Sequence, residues 1–90
     1  MRKFEISVPV GLNRKRTLRA IIEGATEVDA ATSFAAKLSA VIYEISLTSK
    51  SADKAGGSKW TVRWSGSMDP LNVNEVAHDT PVSENWERDL

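Results

Sequence analysis

The hexapeptide KWTVRW at residues 59–64 constrains the fold most strongly, because it alternates large apolar with polar side chains. A period of two residues is that of a β-strand, so the two tryptophans and Val62 share one face. Lys59, Thr61 and Arg63 then share the opposite face. The apolar face needs a covering layer, whereas the polar face is available to solvent or to a partner.

Three further segments alternate in the same way and predict three more strands: residues 3–10, 17–23 and 41–48. A short turn containing glycine and asparagine joins the first two, which predicts an antiparallel hairpin. A loop at residues 49–58 joins the third strand to the hexapeptide and contains no large apolar residue. Pro9 lacks an amide donor, so we expect the first strand to lie at a sheet edge or to end there.

A single helix is predicted over residues 26–39. Thr26 is the candidate N-cap, and Glu27 and Asp29 lie in the first turn, where carboxylates interact favourably with the helix N-terminus. Apolar side chains recur at spacings of three and four, which is typical of an amphipathic helix. The residues of this stripe are Val28, Ala31, Phe34, Ala35 and Leu38.

The order of elements, β-β-α-β-β, predicts an α+β fold: a four-stranded, mostly antiparallel sheet with one helix on one face. We assign residues 1–68 to this domain and residues 69–90 to an acidic, extended C-terminal tail. The predicted inward-facing set is Phe4, Ile6, Val8, Leu18, Ala20, Ile22, Val28, Ala31, Phe34, Leu38, Tyr43, Ile45, Leu47, Trp60, Val62 and Trp64. The predicted second face, which must meet water or a partner, shows Glu5, Ser7, Arg19, Ile21, Glu44, Ser46, Thr61 and Arg63.

Composition narrows the class of protein. The 90 residues suffice for one domain, and the chain has no cysteine, which excludes disulfides and thiolate metal sites. No apolar run approaches the roughly 20 residues of a membrane span. No apolar signal core follows the charged N-terminus, so we expect a cytoplasmic protein without membrane contact.

Charge is unevenly distributed although the net charge is zero. Residues 1–20 contain six cations and one anion, whereas residues 67–90 contain six anions and one cation. A basic start and an acidic end indicate either a charged partner or a tail that folds back on its own domain.

The sequence disfavours an enzyme. His78, the one histidine, stands beside Asp79, a pair that could act as an oriented general base but is more often a solvated dipeptide. Metal binding needs three or four clustered ligands, and no phosphate-binding loop precedes the helix. We therefore predict no catalytic residue, no cofactor and no metal.

The candidate binding residues are mainly cationic. Arg14, Lys15 and Arg16 with Arg19 form a basic hairpin tip that could contact phosphates or an acidic protein face, or could simply guard a sheet edge. Lys50, Lys54 and Lys59 would widen this patch if both hairpin loops lie at the same end of the sheet. The remaining candidates are Arg63 and Trp86.

The tryptophans of the hexapeptide, Trp60 and Trp64, have two interpretations. With Lys59 and Arg63 they could form a base-stacking platform. Three alternating apolar residues on a strand are more often core, which is the interpretation we favour. Trp86 either fixes the tail to the domain or anchors a partner.

In its size and its β-β-α-β-β order, the chain resembles small phage-encoded proteins, including anti-CRISPR inhibitors. The local likeness is a strand that runs directly into an alanine-rich helix, with the sequence Ile21-Ile22-Glu23-Gly24-Ala25-Thr26-Glu27-Val28-Asp29-Ala30-Ala31. The resemblance implies a non-catalytic inhibitor or adaptor that docks on a larger complex. The tail, residues 83–90, is similar in character to the acidic tails of some single-stranded DNA-binding proteins. A nucleic-acid-binding protein with a basic hairpin tip is therefore the alternative, and either function suits a monomer or a homodimer formed through an exposed edge strand.

Overall fold

The computed structural model describes residues 2–10, 12–49 and 57–88, and for Arg16 and residues 84–88 the description covers the backbone. Within these residues the chain forms six strands and one helix. Their bounds are β1 (Arg2–Val10), β2 (Arg16–Gly24), α1 (Glu27–Lys37), β3 (Ile42–Ser49), β4 (Lys59–Trp64), β5 (Leu71–Val76) and β6 (Ser83–Arg88), with a 3₁₀ turn at Leu12–Arg14 between β1 and β2.

All strand pairs are antiparallel, and the strand order is β3-β4-β5-β1-β2-β6. The predicted hairpins β1–β2 and β3–β4 are both confirmed. The α+β class with one helix is confirmed as well.

The predicted count of four strands is wrong, because β5 joins the two hairpins into one sheet. It lies between β4 and β1, with Leu71 opposite Val62 and Val73 opposite Ile6. Leu71 and Val73 are fully buried. Their segment, which the sequence analysis assigned to the tail, alternates over only a few residues, so its period is hard to recognise. β6 then pairs with β2 at the far edge of the sheet.

β1 is a central strand, so its expected place at a sheet edge is wrong, whereas the alternative that the strand ends at Pro9 holds to within one residue, since β1 ends at Val10. Its pairing with β5 extends from Lys3 to Ser7, whereas its pairing with β2 continues to Val10. Pro9 therefore lies beyond the end of β5. The missing amide donor of Pro9 is tolerated there because that side of the strand has no ladder to complete.

The helix begins as predicted, with Thr26 as its N-cap: the Oγ1 atom accepts a hydrogen bond of 3.2 Å from the amide of Asp29. Its buried face is made of Ala30, Ala31, Phe34 and Ala35. Val28 and Leu38, which were predicted to face inward, are 46% and 38% exposed. Val28 lies at the margin of the buried stripe and Leu38 is the C-cap, one residue past the last turn.

The core lies between α1 and one face of the sheet. Its fully buried large side chains are Phe4, Ile6, Val8, Phe34, Val62, Leu71 and Val73. Leu18, Ile45 and Trp60 are partly buried against it. Tyr43 and Leu47, also predicted inward, are 70% and 54% exposed. Leu47 lies on the core face at the sheet edge, whereas Tyr43 lies on the opposite face.

The described part of the chain contains no helix with the length and apolar character needed to cross a bilayer.

Candidate functional site

The sheet has one face that the helix does not cover. Residues directly opposite each other in an antiparallel pair share a face, so the register identifies the members of this uncovered face. They include Ser46, Thr61, Asn72, Ser7 and Arg19, which lie in one row across β3, β4, β5, β1 and β2. The predicted second face is thus confirmed for the described strands, and β5 adds two asparagines to it.

Charges on the uncovered face are interspersed. Within β1–β5 the face has four cations and three anions, namely Lys3, Arg19, Lys59, Arg63, Glu5, Glu23 and Glu44. The Arg19 guanidinium lies 4.0 Å from the Glu5 carboxylate, and the Lys3 ammonium donates to the carbonyl of Thr80 at 2.7 Å. Between these charges lie hydroxyl and amide side chains, so the surface is polar and close to neutral.

An irregularity in β3 changes the direction of one aromatic side chain. Ile42 opposes Trp64, but the next pair is Glu44 with Arg63, so Tyr43 is an extra residue in the strand. Such a β-bulge interrupts strict alternation and redirects side chains. Ile42 and Ile45 both pack on the core, whereas Tyr43 is 70% exposed and lies beside Glu44 on the uncovered face.

Tyr43 lines a groove of about 680 Å³ at one corner of the uncovered face. Ser46 and Thr48 of β3 and Arg63 of β4 form its floor, and Met68 lies in the turn that forms its wall. The Met68 side chain is 99% exposed. The groove therefore combines an aromatic ring, a guanidinium and a thioether with several hydroxyls.

Arg63 is exposed in this groove, and it has no hydrogen-bond or ion-pair partner among the residues that the structure describes. The hydroxyls of Thr48 and Thr61 lie 2.9 Å apart and hydrogen-bond to each other. The cross-strand neighbour Glu44 opposes Arg63 but stays beyond ion-pair distance. The guanidinium thus keeps its donors available.

The turn that forms the groove wall, residues 65–70, is held from several sides. The indole Nε1 of Trp64 donates to the carbonyl of Asp69 at 2.9 Å, and the Asp69 amide donates to the Ser67 hydroxyl at 3.1 Å. The Arg14 guanidinium Nε donates to both Asp69 carboxylate oxygens, at 2.9 and 2.8 Å. The Ser65 amide donates to the Val41 carbonyl at 2.9 Å. Because these contacts fix the backbone, Met68 projects from a well-supported position.

The basic hairpin tip, predicted as a binding patch, is partly engaged within the protein. Arg14 adopts a left-handed backbone conformation, φ 55°, and makes its ion pair with Asp69. Lys15 is exposed, and the side chain of Arg16 lies outside the described residues. Arg19 lies on the uncovered face near Glu5.

Lys59, the described lysine that was expected to widen this patch, lies toward the opposite end of the sheet from the hairpin tip. Arg16 opposes Val10 at one end, whereas Lys59 opposes Asn74, which in turn opposes Glu5 toward the other end. The expected widening by Lys59 is therefore wrong, and Lys50 and Lys54 lie outside the described residues.

The tryptophans of the hexapeptide belong to the core face, which agrees with the favoured interpretation. Trp64 is 6% exposed and meets Phe34 edge to face at 6.0 Å between ring centroids. Trp60 is half-buried and meets Phe4 in the same way at 5.9 Å. A stacking platform made of these rings is therefore wrong. The Trp86 side chain, another binding candidate, lies outside the described residues, although its backbone belongs to β6.

At the end of the sheet where the helix begins, Arg2 and Glu75 form a two-pronged ion pair. The Arg2 Nε and Nη2 atoms donate to the two Glu75 oxygens at 2.8 and 2.9 Å, and the guanidinium lies over the Phe4 ring. These hydrogen bonds lower the pKa of Glu75 below its ordinary value and raise that of Arg2. The pair covers the end of the core.

Sequence reasoning found Arg63 but missed Tyr43 and Met68. Alternation placed Tyr43 inward, and a bulge has no signature in this segment. Met68 precedes Asp69 and Pro70, a turn-forming pair that could have indicated an exposed loop.

His78, in the connection between β5 and β6, is exposed. Within the described residues, no three histidine, cysteine, aspartate or glutamate side chains are grouped closely enough to hold a metal ion.

No protein-family model, curated protein or solved structure matches this chain.

Proposed function

We propose that this chain is a non-catalytic binding protein that docks on a larger protein assembly through the groove on its uncovered sheet face, and so blocks or modulates that assembly. The observation that carries the proposal is the bulge in β3, which moves Tyr43 from the core face into a groove with Arg63 and Met68. Bulges often occur where a side chain is redirected for function.

The chemistry of the groove supports a protein partner. Tyrosine, arginine and methionine are enriched at the centres of protein interfaces, where a few such side chains supply most of the affinity. The hydroxyls around them offer hydrogen bonds to a partner backbone. The supported turn at residues 65–70 lowers the ordering cost of binding, because its backbone is already fixed.

The charge distribution favours protein over nucleic acid. Nucleic-acid-binding surfaces concentrate cations along one face, whereas the uncovered face alternates both signs. Arg14 is paired with Asp69, and the two tryptophans that follow Lys59 and Arg63 in the sequence belong to the core face. The alternative function is nucleic-acid binding through the basic hairpin tip.

The proposal is tested with immobilised protein and a nuclease-treated lysate of the source organism. We expect a protein that is retained by the wild type, and whose affinity falls about tenfold or more with Tyr43→Ala or Arg63→Ala, as truncation of an interface centre does. Leu12→Ala is the matched control, because Leu12 is 86% exposed but lies outside the groove. If the wild type and the three variants retain the partner protein equally, the groove is not the binding site.

A second experiment distinguishes docking on a protein from nucleic-acid binding. Fluorescence anisotropy of labelled single- and double-stranded oligonucleotides is measured at low and at physiological salt. We expect that the protein does not bind either oligonucleotide through Arg14, Lys15 and Arg16. Affinity that falls steeply with salt and is lost when these three residues are replaced by alanine would establish the nucleic-acid function instead.

A further inference from the structure

We propose that β3 pairs with β3 of a second copy of this chain, which gives an antiparallel homodimer with one sheet continuous across the two-fold axis. This inference concerns the sheet edge and does not depend on the function proposed for the groove.

The edge of the sheet at β3 is open in the described part of the chain. β3 is the last strand in the order, and β4 is its one strand neighbour there. An edge strand presents unpaired amide and carbonyl groups that can pair with another strand. Within β3 the only charged residue is Glu44, and no lysine or proline guards the strand.

An apolar margin follows the same edge. Leu38, Val41 and Leu47 are 38%, 60% and 54% exposed, and the chain from Leu38 leads directly into β3. Ile42 and Ile45 are only partly buried against the core. Exposed apolar side chains beside an unpaired strand edge favour contact with a further strand. A second strand beside β3 would cover the part of this margin that lies on the core face.

The sequence of β3 is self-complementary in one register. Residues directly opposite in an antiparallel pair must share a face, and the bulges at Tyr43 and at Thr48 restrict which residues can do so. A two-fold axis at Ser46 places Ile45 opposite the partner's Leu47, both on the core face. It also places Glu44 opposite the partner's Thr48, both on the uncovered face.

Other registers satisfy this condition less well. An axis at Ile45 would oppose Tyr43 on the uncovered face with the partner's Leu47 on the core face. The register centred on Ser46 also brings no like charges together, and the net charge of the chain is zero, so repulsion between copies is small. A second copy is therefore the occupant that this edge fits.

The bulges at Tyr43 and Thr48 leave four regular residues, 44–47, between them in each copy, so the dimer forms reversibly and depends on concentration. Ser46 and Thr48 line the groove and lie at the edge. The dimer would therefore place the grooves of the two copies on the same face of the joined sheet, close to the axis.

Sedimentation equilibrium and an engineered cysteine test this proposal. We expect the wild type to pass from 9.9 kDa toward twice that mass as its concentration rises. The chain has no cysteine, so Ser46→Cys introduces the single thiol. Facing residues in an antiparallel pair have Cα atoms about 4.5–5.5 Å apart, a separation that a disulfide can bridge. Mild oxidation should therefore cross-link Ser46→Cys into a covalent dimer.

The matched control is Asn72→Cys, which is exposed on the same face but lies in β5, two strands inward. In the proposed dimer, five strand spacings of about 4.8 Å separate the two copies of this residue, and no cross-link should form. A wild type that stays monomeric, or equal cross-linking of both variants, would overturn the proposal.

Charged residues introduced at position 46 test whether the two-fold axis lies at Ser46. Ser46→Lys and Ser46→Asp each place like charges opposite one another, so each variant alone should be monomeric where the wild type is dimeric. Their mixture should dimerise, because a lysine then faces an aspartate. Circular dichroism checks that both variants fold. If either variant dimerises as the wild type does, or if the mixture stays monomeric, the axis is not at Ser46.

Discussion

At the scale of single residues, the Arg2–Glu75 pair shows how two charges complete an apolar core. The carboxylate is only 15% exposed, whereas the Arg2 side chain is 43% exposed and lies over the Phe4 ring. The partly solvated guanidinium compensates the loss of hydration at Glu75, so the ionised carboxylate is favoured in the folded chain. Folding stability should therefore depend on the ionisation of this residue.

Glu75→Gln should lower the free energy of unfolding by about 1 kcal/mol near neutral pH, the upper end of the range for ion pairs with an exposed partner, since only the Arg2 side of this pair is well solvated. Because folding lowers the pKa of Glu75, its contribution is present above the unfolded pKa of about 4.3 and is lost as pH falls through the folded pKa. Urea unfolding at about pH 7 and about pH 2.5 measures this, since the difference between wild type and variant should shrink in acid.

Glu23→Gln is the control for this prediction, since Glu23 is exposed on the neighbouring strand β2. It should change stability little at either pH. A difference between wild type and Glu75→Gln that is the same at both pH values would contradict the role assigned to the ion pair.

Gly66 is the second residue with a definite structural requirement. A Cβ atom there would overlap the six-membered ring of Trp64, which is buried, packed on Phe34 and hydrogen-bonded to the Asp69 carbonyl. We expect Gly66→Ala to lower the free energy of unfolding by about 1–3 kcal/mol, as overpacking does. Chemical denaturation measures the change, and an unchanged unfolding midpoint would show that the ring can move aside.

At the scale of elements, β5 decides the architecture. Without it the two hairpins would share no ladder, because β5 pairs with β4 on one side and with β1 on the other. Its two fully buried side chains, Leu71 and Val73, are separated by a single asparagine. So short an alternation next to an acidic, polar segment resembles a tail, which is why the sequence alone did not predict this strand.

Leu71→Ala should lower the free energy of unfolding by about 2–5 kcal/mol, because it leaves a cavity in the core. Met68→Ala, three residues earlier, should change it by no more than about 0.5 kcal/mol, since its side chain is 99% exposed. Denaturant unfolding of both variants checks the contrast. Similar small effects would mean that β5 is not part of the sheet core.

The bulge in β3 is the other element that the sequence could not predict. Strict alternation over residues 41–48 assigned Tyr43, Ile45 and Leu47 to one face, whereas the strand keeps Ile42, Ile45 and Leu47 there. One extra residue reverses the faces of its neighbours. The groove therefore depends on an irregularity that appears only when β3 is paired with β4.

At the scale of the whole molecule, local patterns were sufficient for the helix, its N-cap and both hairpins, because each depends on neighbouring residues. Strand order and the uncovered groove depend on pairings between distant segments, and a single sequence does not reveal these. The result is a sheet with a helix on one face and a polar, nearly neutral face opposite it. The proposed protein partner would dock on this face, and the proposed dimer would form at the edge beside it.

The groove is tested most directly by titrating isotopically labelled protein with the purified protein that the wild type retains from the lysate, followed by amide chemical shifts. We predict that the perturbed amides lie in β3, in β4 and in the turn at residues 65–70, and that Tyr43→Ala abolishes the changes. Perturbations confined to the hairpin tip around Arg14 and Lys15, and unaffected by Tyr43→Ala, would contradict the account.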